Sequence, residues 1–191
     1  MSVQEVSAAG TSIWLDDLSR AKITSTEAHA LPARIKNSGV VGVTTNPSIF
    51  SAAISGAAEY AADIAAMKSA PVDEVVKKLT TDDVRQACDL FTSLYQATHG
   101  VDGRVSIEVD PRLAHDTEGT ISAGKELWSI IDRPNVMIKV PATLEGLPAI
   151  TELIAAGISV NVTLIFSVKR YGQVIEAYMK GIEQCAEPAK V

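Results

Sequence analysis

The amino-acid sequence predicts an α/β fold of the (β/α)8 TIM-barrel type, here an incomplete barrel with about five parallel strands. Short apolar runs rich in β-branched residues alternate with longer amphipathic segments, which indicates right-handed βαβ units and a parallel sheet. A doubly wound open sheet is the competing architecture, but such folds usually carry a glycine-rich phosphate loop after the first strand. The corresponding stretch here, "WLDDLSRAK", contains no glycine. The sequence therefore favours the barrel.

Five segments have the composition of strands and are bounded by Gly, Pro or Asn. The later strands also alternate: Ser106 and Glu108 share one face of the third, and Ser159, Asn161 and Thr163 share one face of the fifth. Barrels place polar groups on the inward faces of their strands, near the carboxyl ends, and this alternation fits that arrangement. The predicted strands are residues 11–17, 38–46, 103–110, 135–140 and 157–166.

Helices are predicted between and after these strands. Thr24 and Glu27 have the spacing of a capping box, which would open a helix over 25–37 that Pro32 interrupts. Gly157 fits the C′ position of the helix before the fifth strand. The other predicted helices are two or three within 47–69 and 72–98, followed by 117–132, 143–156 and 167–185.

Composition and charge narrow the function classes. The chain has 191 residues, and we expect residues 1–191 to form a single (β/α) barrel domain that stops after the fifth βα unit. A net charge of −6 without a basic stripe argues against a nucleic-acid partner. No apolar stretch reaches the length of a membrane span, and the start has no signal-peptide pattern. Two distant cysteines suit a reducing compartment, so the expected location is the cytoplasm.

A lysine interrupts the fourth predicted strand, "NVMIKV". Val136, Ile138 and Val140 share one face at period two, so Lys139 points opposite this apolar set. A lone lysine near a strand end is usually a snorkelling surface residue, but here other strand ends carry polar residues in the same inward phase. We expect six side chains to converge at one mouth of the barrel. They are Asp16, Asn46, Glu108, Lys139, Asn161 and Thr163.

The chemistry of this set suits a Schiff base better than a metal. It contains no histidine, and a lysine among carboxylates, amides and a hydroxyl is typical of reaction with a carbonyl. A nearby carboxylate favours the ammonium over the nucleophilic neutral amine, so the carboxylates Asp16 and Glu108 are better assigned to proton transfer. Asp17 is the alternative to Asp16, which is preferred because it directly follows the apolar "IWL". Glu108 has a structural alternative as the ion-pair partner of Lys139.

Several motifs resemble those of the transaldolases, which belong to the class I Schiff-base aldolases. The segments "TTNPSIF", "VSIEVDPRLAHDT", "IKVPAT" and "NVTLIFS" occur in the family order, and "WLDDLSR" with "GVVGVTTNPSIF" is similar to the actinobacterial form. The resemblance runs from about residue 10 to 182. It implies a (β/α)8 barrel that moves a dihydroxyacetone unit between sugar phosphates in the pentose phosphate pathway, without cofactor or metal. The implied substrates are sedoheptulose 7-phosphate with glyceraldehyde 3-phosphate and fructose 6-phosphate with erythrose 4-phosphate.

The resemblance also implies a role for each candidate residue. Lys139 would form the Schiff base with the ketose carbonyl, and Asp16 would take and return the proton of the hydroxyl whose loss cleaves the carbon–carbon bond. Glu108 and Thr163 would hold a water that relays protons during imine formation and release. The residues expected to hydrogen-bond the hydroxyls of the three-carbon unit are Asn46 and Asn161.

The sequence departs from the family after the fifth strand. Three strands of a full barrel have no counterpart before Val191, nor do the serine and arginines that hold the sugar phosphate in the family. Open edges on the first and fifth strands lead us to expect self-association or strands borrowed from a second copy. Three functions stay open: a transaldolase, a simple Schiff-base ketose aldolase of the fructose-6-phosphate aldolase type, and a non-catalytic barrel fragment. The long helical insertion at 47–98 favours the transaldolase.

Overall fold

A computed structural model describes residues 3–191, in which short strands alternate with helices from one end to the other. The chain divides into two compact units. The first comprises the chain up to Val105 together with Arg133–Asn135. The second comprises Ser106–Asp132 and Val136–Val191.

The five predicted strands are all present; four are shorter than predicted, and the fourth has the predicted length but is shifted by one residue. They are β1 (Ile13–Asp16), β2 (Val40–Thr44), β3 (Arg104–Glu108), β4 (Val136–Pro141) and β5 (Val160–Thr163). Hydrogen-bonded neighbours follow the sequence order β1-β2-β3-β4-β5, and the pairs β1–β2 and β4–β5 are parallel. Doubly wound sheets have orders such as 3-2-1-4-5 or 2-1-3-4-5, whereas a barrel adds its strands in sequence. The predicted fold class, α/β with five parallel strands of an incomplete (β/α)8 barrel, is confirmed.

Helices occupy nearly all of the segments predicted to be helical. In the described part of the chain, no helix is both long enough and apolar enough to cross a membrane. The helices are α1 (Val3–Ala8), α2 (Arg20–Thr24), α3 (Leu31–Ser38), α4 (Pro47–Ile54), α5 (Ala61–Ala66), α6 (Val72–Ala97), α7 (Thr117–Ile131), α8 (Gly146–Ala155) and α9 (Val168–Gln184).

The predicted capping box at Thr24 is wrong. Thr24 is the last residue of α2, whose N-cap is Ser19, with the Ser19 Oγ accepting a hydrogen bond from the Lys22 amide at 3.3 Å. The next helix begins only at Leu31, so Pro32 lies in its first turn, where the missing N–H costs nothing, rather than in a helix interior. Of the helix expected over 25–37, only the part from Leu31 onward is helical, and residues 25–30 form turns and bends between α2 and α3.

In the first unit, the core is built around the long helix α6. Its buried apolar face includes Leu79 and, at spacings of three and four residues, Val84, Ala87 and Phe91, each at most 1% exposed. This face packs against α2 and β2. Asn135 supports the arrangement, because its buried Nδ2 donates to the Cys88 carbonyl at 2.9 Å and to the Gly103 carbonyl at 2.8 Å.

In the second unit, α8 packs against both α7 and α9. Gly181 allows α9 to approach closely, because a Cβ there would lie 2.7 Å from the Cβ of Ile154. Gly157 follows α8 with φ of +79° and donates to the Ile154 carbonyl at 2.9 Å, which confirms the predicted C′ glycine. This close packing holds the strands that carry the candidate lysine.

Candidate active site

Lys139 lies in β4 with its side chain withdrawn from solvent. Val136, Ile138 and Val140 are fully buried on the opposite phase of the strand. The Lys139 side chain is 10% exposed, and its Nζ lies 3.4 Å from Oε2 of Glu108, whose side chain is 12% exposed. A snorkelling surface lysine would be far more exposed, so the structure places Lys139 in a protected ion pair.

Three neighbouring strands of the second unit bring polar residues beside this pair. Glu108 is the last residue of β3, and Thr163 is the last residue of β5. In the register of β4 with β5, Lys139 pairs with Asn161. The Asn161 amide donates from Nδ2 to Oγ of Ser106 at 2.9 Å, and Ser106 is fully buried. The carboxyl ends of these strands thus carry an amine, a carboxylate, an amide and hydroxyls.

The first unit holds the other two candidate residues. Asp16 ends β1 and pairs in register with Thr44 of β2. Asn46, two residues further on, is the N-cap of α4, and its Oδ1 accepts from the Ile49 amide at 2.9 Å. Asp16 and Asn46 line the same cavity of about 470 Å³, together with Tyr60. Pro47 is the first residue of α4, where the missing backbone N–H costs nothing.

The choice between Asp16 and Asp17 is informed by a salt bridge. Lys22 pairs with Asp17 across the start of α2, and the Asp17 side chain is 40% exposed. This contact gives Asp17 a structural task in tying the loop to the helix. Both carboxylates line the cavity, but Asp16 is the one at the strand end, where the sequence pattern placed the reactive group.

The structure therefore brings the candidates together in two sets. One set is Glu108, Lys139, Asn161 and Thr163 in the second unit, and the other is Asp16 with Asn46 in the first. Convergence of all six on one mouth stays a prediction. Sequence reasoning did not assign a role to Ser106, although its place two residues before Glu108 on the inward face was visible in the alternation.

Sequential parallel strands and a protected lysine–carboxylate pair at the strand ends define an α/β barrel-type protein with an amine-centred site. The model of the family described as Transaldolase/Fructose-6-phosphate aldolase matches residues 13–189, and the chain belongs to this family. The relationship expected from the motifs is thereby confirmed.

Curated relatives carry the name transaldolase. The chain is 57% identical over 184 residues to a transaldolase of Mycolicibacterium smegmatis, covering 95% of this chain and 49% of the relative. It is 56% identical over 185 residues to a transaldolase of Acidothermus cellulolyticus, covering 96% of this chain and 49% of that protein. A Mycobacterium leprae transaldolase is 57% identical over 187 residues, with 97% and 49% covered. The chain thus spans about half the length of the curated relatives it matches.

Proposed function

We propose that this chain carries a transaldolase site in which Lys139 forms a Schiff base with a ketose phosphate. The main support is the Lys139–Glu108 pair: Nζ lies 3.4 Å from Oε2, and the two side chains are 10% and 12% exposed. The pair occurs in a chain that belongs to the Transaldolase/Fructose-6-phosphate aldolase family. The amine attacks the ketose carbonyl, water leaves, and the imine then accepts the electron pair when the adjacent carbon–carbon bond breaks. The three-carbon unit, held as an enamine, adds to an acceptor aldose and is released by hydrolysis.

The proton transfers are assigned to the two carboxylates and a hydroxyl. Glu108 lies close enough to the Lys139 Nζ to exchange a proton with it directly or through one water. Thr163, the last residue of β5, would hold that water together with Glu108. Asp16 would accept the proton of the substrate hydroxyl during bond cleavage and return it to the acceptor aldehyde.

Two amides are assigned to the hydroxyls of the three-carbon unit. The helix cap uses Oδ1 of Asn46, so the N–H donors of this amide are the groups that would reach a hydroxyl oxygen. Asn161 would use the other end of its amide: its Nδ2 already donates to Oγ of Ser106, so its Oδ1 is the atom that would accept a hydrogen bond from a substrate hydroxyl. The substrates would be the sugar phosphates of the pentose phosphate pathway, and the reaction would take place in the cytoplasm without a cofactor.

Borohydride trapping tests the Schiff base directly. The chain is incubated with dihydroxyacetone or fructose 6-phosphate, reduced, and digested for mass spectrometry. We expect one adduct, on Lys139, and none in Lys139→Met. Lys125→Met is the matched control, because Lys125 is an exposed residue of α7 and its loss should leave the adduct intact. No adduct in the wild type, or a retained adduct in Lys139→Met, would contradict the proposal.

A simple ketose aldolase is the second candidate, because the matched family description includes fructose-6-phosphate aldolase. Both enzymes would give the same trapped adduct. Product analysis separates them: a transaldolase yields sedoheptulose 7-phosphate from fructose 6-phosphate and erythrose 4-phosphate, whereas an aldolase releases free dihydroxyacetone. The names of the curated relatives favour transfer. A folded wild-type protein that traps no ketose would instead support a non-catalytic barrel fragment.

We also propose that the chain self-associates with a second copy. β1 and β5 stand at the two ends of the strand order, and α9, which follows β5, carries an apolar stripe on its exposed face. Pairing by a two-fold axis would cover the same stripe on both copies. Light scattering should show concentration-dependent association that Ile175→Lys weakens; a monomer at all concentrations would refute it. The stripe comprises Val168, Tyr171, Ile175, Tyr178 and Met179, which are 42–89% exposed.

A further inference from the structure

A polar cluster in the first unit joins α2 to two distant segments. It consists of Arg20, Tyr60, Asp63 and Asp83, and is called the Tyr60 cluster below. The Tyr60 hydroxyl, at the end of the 3-10 turn Ala58–Tyr60, donates to Oδ2 of Asp83 at 2.6 Å. The Arg20 Nε donates to Oδ1 of the same carboxylate at 2.9 Å, and its guanidinium also pairs with Asp63. The guanidinium carbon lies 4.7 Å from the centre of the Tyr60 ring.

The cluster is rigid because its central groups are buried and paired. Tyr60 is 1% exposed and Asp83 is fully buried. Burial raises the pKa of Tyr60 above its usual range, and the hydrogen bond to Asp83 acts in the same direction, so the hydroxyl stays a donor. Burial also raises the pKa of Asp83, against the opposing effects of Tyr60 and Arg20. Any displacement of one member would leave a buried polar group unpaired, which is costly.

One contact of the cluster reaches the backbone beside the candidate site. The Tyr60 hydroxyl oxygen accepts a hydrogen bond from the backbone N–H of Arg20 at 2.9 Å, and Arg20 is the first residue of α2. The first N–H groups of a helix have no partner within the helix, so Tyr60 acts as a cap supplied from 40 residues away along the chain. The Ser19 hydroxyl oxygen accepts from the amide of Lys22, two residues further along the same helix.

This cap limits the freedom of the strand end that carries Asp16. Only Asp17, Leu18 and Ser19 separate Asp16 from the capped residue. Leu18 is fully buried, so this short loop is held by apolar packing at its middle and by the cap at its end. Tyr60 and Asp16 also line the same cavity. The hydroxyl is therefore placed to set where the Asp16 carboxylate stands.

We propose that Tyr60 is a positioning residue for Asp16: its hydroxyl fixes the start of α2 and, through the three-residue loop, the carboxylate that takes the proton during carbon–carbon cleavage. The inference rests on the proposed function. It predicts a selective defect, because Schiff-base formation depends on Lys139 while cleavage depends on Asp16. A misplaced carboxylate lowers turnover, since proton transfer demands heavy atoms at hydrogen-bond distance.

The test is Tyr60→Phe, which keeps the ring and its contact with the Arg20 guanidinium but removes the hydroxyl. Circular dichroism and urea unfolding establish that the variant is folded. Two readouts follow: the adduct trapped with dihydroxyacetone, and the steady-state rate of glyceraldehyde 3-phosphate release from fructose 6-phosphate with erythrose 4-phosphate as the acceptor of the three-carbon unit. We expect a wild-type level of adduct, a KM within about twofold, and a cleavage kcat lowered by about tenfold or more.

Two further variants separate positioning from general support of the fold. Tyr95→Phe is matched, because Tyr95 also lies under an arginine guanidinium, that of Arg104 at 5.5 Å, and it should cleave at the wild-type rate. Arg20→Lys retains the backbone N–H that Tyr60 caps, so its kcat should stay within about threefold of wild type. If Tyr60→Phe does not fold, Arg20→Pro takes its place: proline fits the first position of a helix but has no N–H to cap, so cleavage should fall as expected for Tyr60→Phe, and an unchanged rate would overturn the role. Arg20→Ala is its side-chain control, because it keeps the capped N–H and should keep most of the cleavage rate.

The outcomes distinguish the two proposals. If the wild type traps no ketose, the proposed function fails and this inference fails with it. If the wild type traps ketose but Tyr60→Phe cleaves within about twofold of the wild-type rate, the positioning role alone is overturned. The positioning role is also overturned if Tyr60→Phe loses adduct and cleavage together. It is overturned if Arg20→Lys or Arg20→Ala loses about tenfold in cleavage rate, the loss expected of Tyr60→Phe, or if the wild-type adduct undergoes no cleavage.

Discussion

The ion pair between Lys139 and Glu108 offers a quantitative test of the candidate site. At the observed 3.4 Å, the Coulomb attraction is about 5 kcal/mol for an effective dielectric constant of 20. Removing one partner leaves the other charge nearly buried without its counter-ion, so we expect Lys139→Met and Glu108→Gln each to lower the free energy of unfolding by about 3 kcal/mol. The double variant leaves no charge behind and should also lose only about 3 kcal/mol, a coupling of about 3 kcal/mol.

Urea unfolding of the four proteins at pH 7 measures this coupling, at low and at high salt. Because both side chains are largely shielded from solvent, the coupling should change little with salt. The matched control is the pair Arg133–Asp89, whose side chains are 32% and 51% exposed, and whose coupling should stay below about 1 kcal/mol. A coupling below about 0.5 kcal/mol for Lys139 and Glu108 would show that the two charges do not form a protected pair in solution.

Two further predictions concern packing and a buried thiol. Gly42→Ala would put a Cβ 2.5 Å from the Trp14 ring and should lower the free energy of unfolding by about 1–3 kcal/mol, measured by urea unfolding followed by tryptophan fluorescence. Gly172→Ala, in α9 with open space around it, should raise the free energy of unfolding by up to about 1 kcal/mol. Burial raises the pKa of Cys88 from 9.0 to about 12, so the unfolded state loses this proton first. Cys88 should then lower the free energy of unfolding by about 1.4 kcal/mol per pH unit between these values, and Cys88→Ala should lack this contribution to the slope. A thiol reagent at pH 8 should label Cys185 alone until urea is added, and equal labelling of both cysteines in the native protein would contradict the assignment.

The strands and their polar ends could be predicted because period-two patterns are local. Each β-branched run in the sequence became a strand, and the alternation that placed Glu108 and Lys139 opposite apolar neighbours is the alternation in the structure. Helix boundaries were harder. The residues Thr24 and Glu27 match a capping motif locally, yet the helix starts earlier, because Ser19 and a tyrosine far along the chain cap it at Arg20.

The Tyr60 cluster had no signal in the sequence for a physical reason. Tyr60 and Asp83 are 23 residues apart, and Arg20 is 40 residues from Tyr60, so no period or spacing links them. Their contact depends on how α6 packs against α2, which is decided by the buried apolar face of α6 rather than by the polar residues themselves. A tyrosine in an alanine-rich segment reads as an ordinary core residue until this packing is known.

The long excursion between β2 and β3 can be understood from the same contacts. One helix would suffice to connect two parallel strands, but this segment contains α4, α5 and α6. Asp83 comes from α6, Asp63 from α5, and Tyr60 from the turn before α5, so three parts of the excursion reach back to one residue at the start of α2. A family member with a single short helix here would lack all three partners and would have to cap the loop after β1 in another way. The insertion therefore supplies the side chains that hold the start of α2, and with it the end of β1 that carries Asp16. A single connecting helix would not supply these contacts, which accounts for the length of the segment.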